Sequence, residues 1–281
     1  MPGEVSTFTA AVDGGVLTGS VGGHGDLVLM LHGGPGLGWT YLEPAVEELR
    51  AGYTVAVYQQ RGLPPSTARA PYDVHTQVRD VVAVLDTLGW ERAAVVGHSW
   101  GGHLLLHVLA SYPERLNAAL VVDPLGGVGD GGEQQFEEEL LARTPPADVA
   151  RAEELDRRAM AGEGNEADMT ESLRLIWPAY FADPASAPPR PDIRGSVEAY
   201  SATIDSVHAE LPGLAPRLGG VTVPTLFLHG AASPMPVTAS TDTADAIGSK
   251  ATVRVLEGTG HFVWVESPGC VRAALAALLG R

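Results

Sequence analysis

Gly97-His98-Ser99-Trp100-Gly101-Gly102 is the stretch that decides how this chain is read. The apolar run Ala93-Ala94-Val95-Val96 enters it, and Leu104-Leu105-Leu106-His107-Val108-Leu109-Ala110 leaves it. A short apolar run followed by one of helical length predicts a buried strand that turns directly into a helix. Glycines on either side of Ser99 let strand and helix approach more closely than side chains permit. So tight a turn puts Ser99 in a strained backbone conformation and lifts its hydroxyl above the sheet. The helix amino terminus beneath it then favours developing negative charge. Ser99 is therefore a candidate nucleophile. The plainer reading is a glycine-bearing turn with an incidental serine, and the rest of the chain has to choose between them.

A chain of 281 residues suits one large α/β domain, or a domain carrying an insertion. Apolar residues make up 45% and charged ones 19%, enough apolar side chain for a substantial core. Eighteen basic against 34 acidic residues give a formal charge of −16, which disfavours nucleic acid and anionic membrane as partners. The acidity reads as a solvated surface. A lone cysteine, Cys270, excludes an internal disulfide and a cysteine-rich zinc site, and its helical context suggests packing. Met1 to Ala10 shows no signal-peptide pattern and no later segment has transmembrane length, so a cytoplasmic protein is expected.

Eight strand-like runs are expected: Val5–Ala10, Val16–Val21, Leu27–Leu31, Thr54–Tyr58, Ala93–Val96, Ala118–Val122, Pro224–Leu228 and Thr252–Leu256. Helical patterns fall between them at Thr40–Arg50, Val74–Leu88, Gly101–Ser111, Val237–Ile247 and Glu266–Leu279. The first two strands alternate as an antiparallel edge pair does; the later ones are apolar on both faces, as in a buried parallel sheet. The alternation of strand and helix predicts a doubly wound, mostly parallel eight-stranded sheet. It breaks between Pro124 and Leu218, where helical patterns at Glu133–Arg143, Asp148–Ala161 and Ser196–Ala209 replace strands. We expect a core of residues 1–124 and 218–281, with residues 125–217 inserted as a helical cap over the carboxyl edge of the sheet.

A serine nucleophile needs a base and a pair of oxyanion donors. His261, in Gly258-Thr259-Gly260-His261-Phe262, follows the last strand and so reaches the same sheet edge as Ser99. The Trp100 amide is one candidate donor. Gly34 in His32-Gly33-Gly34-Pro35-Gly36, after the third strand, is the other, because Pro35 has no N–H. His103 and His107 share a helical face but lack a third ligand, so no metal is expected, nor any cofactor. His98 reads as packing.

These motifs, with Gln60-Arg61-Gly62, make the chain resemble an α/β-hydrolase of the proline-iminopeptidase-like branch over nearly its whole length outside the cap. The resemblance implies a serine hydrolase acting on a small-molecule ester or amide through an acyl-enzyme. Two departures stand out. Gln59 and Pro64 stand where the family usually has Asp and Gly, which reads as local rewiring. Ser233, in His229-Gly230-Ala231-Ala232-Ser233, stands where the family usually carries its catalytic Asp. A hydroxyl cannot offset imidazolium charge, so the acid must come from elsewhere. Asp123, ending the strand beside the nucleophile's, is the candidate, an arrangement similar to that of haloalkane dehalogenases and some lipases; Asp242 and Asp205 are the alternatives. Ser233 is then expected to be a bystander.

An epoxide hydrolase or dehalogenase is disfavoured, since both need a carboxylate where Ser99 stands. An aminopeptidase for N-terminal proline would need cap carboxylates for the amine. Glu133, Glu137, Glu138 and Glu139 are available, although such a run is usually a solvated face. A binding protein or a lyase on the same fold is the reading from another class. Trp39, Trp100, Trp177, Tyr180, Phe181, Phe262 and Trp264 are candidate pocket walls. Nothing in the sequence sets the oligomeric state or the acyl and leaving groups.

Overall fold

The computed structural model describes residues 4–281; Met1 to Gly3, part of the amino-terminal stretch read above, lie outside the described residues. In chain order the strands are β1 (Ser6–Val12), β2 (Gly15–Gly23), β3 (Asp26–Leu31), β4 (Tyr53–Gln59), β5 (Ala93–His98), β6 (Leu116–Val122), β7 (Thr225–Gly230) and β8 (Ala251–Leu256). They form one sheet in the spatial order β1-β2-β4-β3-β5-β6-β7-β8. The pairs β1/β2 and β2/β4 are antiparallel, and every pair from β3/β4 to β7/β8 is parallel. This is the doubly wound sheet expected, with its edge hairpin.

Because strand side chains alternate between faces, each central strand feeds two cores. Ala93 and Val95 of β5 enter one core, with α2 (Val74–Thr87), α3 (Trp100–Ser111), α7 (Val197–Leu218) and α8 (Val237–Ile247). Ala94 and Val96 enter the other, with α1 (Glu43–Arg50) and α10 (Cys270–Leu278). The helix expected from Glu266 is in fact split. A short α9 (Val263–Glu266) ends, Ser267-Pro268-Gly269 intervenes, and α10 starts at Cys270, with Gly269 at a φ of 88° that favours glycine.

Between β6 and β7 lie α4 (Glu133–Arg143), α5 (Pro146–Met160), α6 (Glu166–Ile176) and α7. Helix α6 carries a sign that the sequence reading passed over: Asn165 and Asp168 form a reciprocal capping box. Helix α7 runs past its expected end at Ala209, through Pro212 and Pro216. Each internal proline costs about 3 kcal/mol. Val207, Leu211, Leu214 and Leu218 are buried in the same core as Leu104 to Leu106, and burying each stabilises by roughly 1.5–3 kcal/mol, which holds the helix together. Among the described residues no helix is long and apolar enough to cross a membrane.

Candidate active site

Ser99 lies one residue past β5 at a φ of 55° and a ψ of −122°, outside the regions open to ordinary L-residues. Its amide donates to the Val122 carbonyl at 2.9 Å, which prolongs the sheet, while its carbonyl accepts from His103 N at 3.0 Å, which opens α3. The glycines around it are obligatory. A Cβ on Gly97 would lie 2.2 Å from the Gly101 carbonyl oxygen, and one on Gly101 would lie 2.3 Å from that of Leu31. The turn thus takes the form expected, with Ser99 left half-buried while His98 and Trp100 are buried.

The loop after β3 comes against this serine. A Cβ on Gly33 would sit 2.7 Å from Ser99 Cβ, so the loop passes close only because residue 33 has none. The Gly33 N–H donates to the Tyr41 hydroxyl and is therefore occupied. Gly34, at a φ of 57°, turns over with its carbonyl accepting from Leu37 N at 2.8 Å. Neither the Gly34 amide nor the Trp100 amide has a hydrogen-bond partner among the described residues. His32 fixes the loop from below: its Nε2 accepts from Gln60 N at 3.1 Å and its Nδ1 donates to Gly33 O at 3.0 Å. Gln60 in turn accepts from the Trp100 indole at 2.9 Å. Burial pushes His32 down to about 4, so it is neutral at neutral pH. Gln59 takes the Trp39 amide and donates to Leu37 O, which makes the departure from Asp at this position a neutral brace.

Asp123 lies one residue past β6 at a φ of 45°. Its Oδ1 accepts from His261 Nδ1 at 2.7 Å, and its Oδ2 accepts from Gly230 N at 2.8 Å. Ser233 joins them, its hydroxyl donating to Asp123 Oδ1 at 2.6 Å. Burial alone would raise the Asp123 carboxyl. Nearby His229, the hydrogen bond and charge of His261, and the Ser233 hydroxyl outweigh it and hold the group below the ordinary aspartate range. Asp205 and Asp242, the alternative acids, are exposed on α7 and α8.

His261 is held through its backbone as well. Its amide donates to Tyr180 O at 2.8 Å and its carbonyl accepts from His98 Nε2 at 3.1 Å. Since His98 Nε2 must carry the proton, Nδ1 accepts from Tyr41 OH at 3.0 Å. A relay Gly33–Tyr41–His98–His261 thus ties the β3 loop to the histidine, and His98 does more than pack. Burial first, and then the neighbouring His261, push His98 far down, so it stays neutral. Glu266 adds a clamp, accepting from Gly260 N at 2.7 Å and Ala182 N at 3.0 Å.

Tyr180 and Phe136 face the His261 ring, with centroids 5.2 and 6.0 Å away. Trp177, Phe181, Phe262 and Trp264 are buried in the core against one another. Phe136 was not among the expected walls, yet it is the one aromatic in the polar helix α4, a signal the sequence does carry. His103 and His107 hydrogen bond to each other at 3.2 Å, and His103 donates to Gly126 O at 3.1 Å. Burial pushes them to about 4 and about 2, and no group of three or more metal-ligating side chains occurs among the described residues.

The alpha/beta hydrolase fold family matches residues 26–268. Epoxide hydrolase A of Mycobacterium tuberculosis is 28% identical over 295 residues, covering 90% of this chain and 90% of that protein. A 2-hydroxy-6-oxo-6-phenylhexa-2,4-dienoate hydrolase of Comamonas testosteroni is 38% identical over 112 residues, 38% of this chain and 39% of that one. Naproxen esterase from Bacillus subtilis superimposes with a TM-score of 0.69 at 16% identity, over 99% of this chain and 92% of its own. Proline iminopeptidase of Mycobacterium smegmatis gives 0.69 at 23% identity, over 98% of each chain. At such identities the structural likeness concerns the fold alone.

Proposed function

The chain belongs to the α/β-hydrolase family and is a hydrolase of it; from that premise we propose that it cleaves an ester or amide bond of a small molecule through a covalent acyl-enzyme. Ser99 attacks the carbonyl carbon while His261 takes its proton. Asp123 holds the imidazole by Nδ1 and stabilises its positive charge. The unpartnered amides of Gly34 and Trp100 receive the oxyanion. His261 then returns the proton to the leaving group, and water, activated by the same histidine, releases the acid. Residues 125–217 act as the cap over this edge, with Phe136 and Tyr180 beside His261.

The 2.7 Å contact of His261 Nδ1 with Asp123 Oδ1 carries this reading, because it supplies the acid that position 233 lacks. Epoxide opening, the activity in the relative's name, does not suit a serine nucleophile. A serine that opened an epoxide would remain as an alkyl ether, which water does not cleave, whereas a carboxylate nucleophile leaves a hydrolysable ester. For an iminopeptidase, the free-amine clamp would have to draw on Glu137, whose carboxyl is raised by burial and by nearby Glu133 and Asp156, because the other three cap glutamates are engaged. Glu133 is paired with His208 at 2.6 Å, Glu139 with Arg143 at 3.3 Å, and Glu138 accepts from Gln134 at 2.9 Å.

The test is covalent. A fluorophosphonate probe should label the parent protein at Ser99, and p-nitrophenyl butyrate should be turned over. Ser99→Ala should abolish labelling and lower turnover by roughly 10³ to 10⁶. A parent protein that neither labels nor turns over esters would instead be the binding protein or lyase.

A further inference from the structure

Ser233 occupies the place from which the resembling hydrolases deliver their acid, and it has kept a contact with the residue that replaced it. We propose that Ser233 is a positioning residue for the hydrolytic step, acting through Asp123; this rests on the triad reading above. Its hydroxyl has one direction open to it. The Ser233 oxygen accepts from Met235 N at 3.1 Å, so its proton is free to donate, and Asp123 Oδ1 lies 2.6 Å away. The other neighbour, His261 Nδ1, is 3.5 Å away and already carries the proton that it gives to Asp123. The side chain is not adrift, because its loop is fixed to both flanking strand ends. Ser233 N donates to Gly230 O at 3.0 Å, and Ala232 N donates to Thr259 O at 2.9 Å, two residues before the histidine.

The Asp123 carboxylate is therefore held by three donors from two parts of the chain: Gly230 N on Oδ2, with Ser233 Oγ of the same turn and His261 Nδ1 sharing Oδ1. Without Ser233, Oδ1 would be held only by the imidazole that it has to orient, and Gly230 N on Oδ2 would be the one fixed anchor independent of His261. The Ser233 hydroxyl locks the plane of the group and keeps Oδ1 facing the imidazole. At 7% exposure Ser233 leaves little access for a water to replace it. The loop position from which the resembling hydrolases supply an Asp thus holds a hydroxyl that orients Asp123 instead.

The experiment is a double-mutant cycle in the full chain, with Ser233→Ala, Asp123→Asn and the pair, read by p-nitrophenyl butyrate kinetics and by the rate of fluorophosphonate labelling at Ser99. Ser233→Ala should lower kcat and the labelling rate by roughly 10- to 100-fold, the range for a hydrogen bond to a charged group, with KM within about twofold. In the Asp123→Asn background the same change should add less than about threefold, because the carboxylate through which it acts is gone. Ser233→Thr, which keeps the hydroxyl, should recover most of the lost kcat, and it covers the case in which Ser233→Ala does not fold. A Ser233→Ala enzyme within twofold of the parent, or an equal loss in both backgrounds, overturns the proposal. A damaging Asp123→Asn beside a neutral Ser233→Ala overturns this role alone. A harmless Asp123→Asn overturns the triad reading and this one with it.

Discussion

The two halves of the site are held in place by different means. On the β3/β5 side, Ser99 and the Gly33–Gly34 loop are placed by backbone running against backbone at distances that no Cβ tolerates. On the β6/β7 side the histidine loop also runs backbone against backbone, a Cβ on Gly230 falling 2.3 Å from Gly260 O, but the Asp123 carboxylate and the imidazole it meets are set by polar contacts: two hydrogen bonds on Oδ1, one on Oδ2, and the Glu266 clamp behind the loop. The first kind of placement is steric and all-or-none. The second is divided among several contacts, each of modest worth, and so can be rewired one residue at a time. Under the proposed triad, that difference lets the acid stand at position 123 rather than 233 while the serine turn stays intact.

The steric half should break completely. Gly101→Ala would set its new carbon against the Leu31 and His32 carbonyl oxygens, neither of them a flexible side-chain end that could move aside. We expect no soluble folded protein, or one whose cooperative thermal transition is lost; a variant with the parent's melting temperature would refute the steric account. The side-chain half should break in function only. Asp123→Asn should lower kcat by roughly 10³ to 10⁴ while the protein remains folded by circular dichroism. Adding Ser233→Asp should recover part of that loss, since Ser233 Oγ already lies 3.5 Å from His261 Nδ1. Failure of every such double variant would mean that the two strand ends are not interchangeable.

Acid should sharpen the contrast from a third direction. His32 and His103 titrate at about 4 in the folded chain against about 6.5 when unfolded, so the unfolded state binds more protons between those values. Stability should therefore fall as pH drops from 6.5 towards 4, by a few kcal/mol, seen as a falling urea midpoint. Asp123 works at lower pH. Its depressed carboxyl contributes stability in full above the unfolded aspartate value, about 3.9, and loses it progressively as pH falls from there through its folded value. A urea midpoint that stays flat from pH 6.5 to 4.5 would contradict the buried neutral histidines. The smallest effect belongs to the relay that joins the halves. Tyr41→Phe removes the hydroxyl between Gly33 N and His98 Nδ1 and should cost on the order of 1–3 kcal/mol, with a small loss in kcat. A stability unchanged within error would show that the two halves are not coupled through Tyr41.

The same contrast governs what could be read in advance. The eight strands and the serine turn are written in local signals, runs of Val, Leu and Ala that meet glycines at fixed spacing. The single residues Asp123 and His261 could be placed because strand order sets which loop ends share an edge, although 138 positions separate them. Ser233 reads as a bystander in the sequence because a hydroxyl has no charge to advertise, and its hydrogen bond to Asp123 spans 110 positions. Tyr41, His98 and Glu266 were hidden likewise, since each works through a backbone group that only the folded chain brings near. Helix α7 was cut short for the opposite reason: the local proline signal was heeded, and tertiary burial overrode it.

Among the described residues, Ser99 and Asp123 are the non-glycine positions with positive φ, at 55° and 45°. At Ser99, stability and the proposed chemistry compete for one codon: Ser99→Gly would relax the main chain by up to about 1–3 kcal/mol while deleting the proposed nucleophile. At Asp123 they do not, because a glycine there would also strip the buried donors Gly230 N, Ser233 Oγ and His261 Nδ1 of their acceptor. A thermostabilising campaign on this scaffold therefore has to hold position 99 fixed and seek its gains elsewhere.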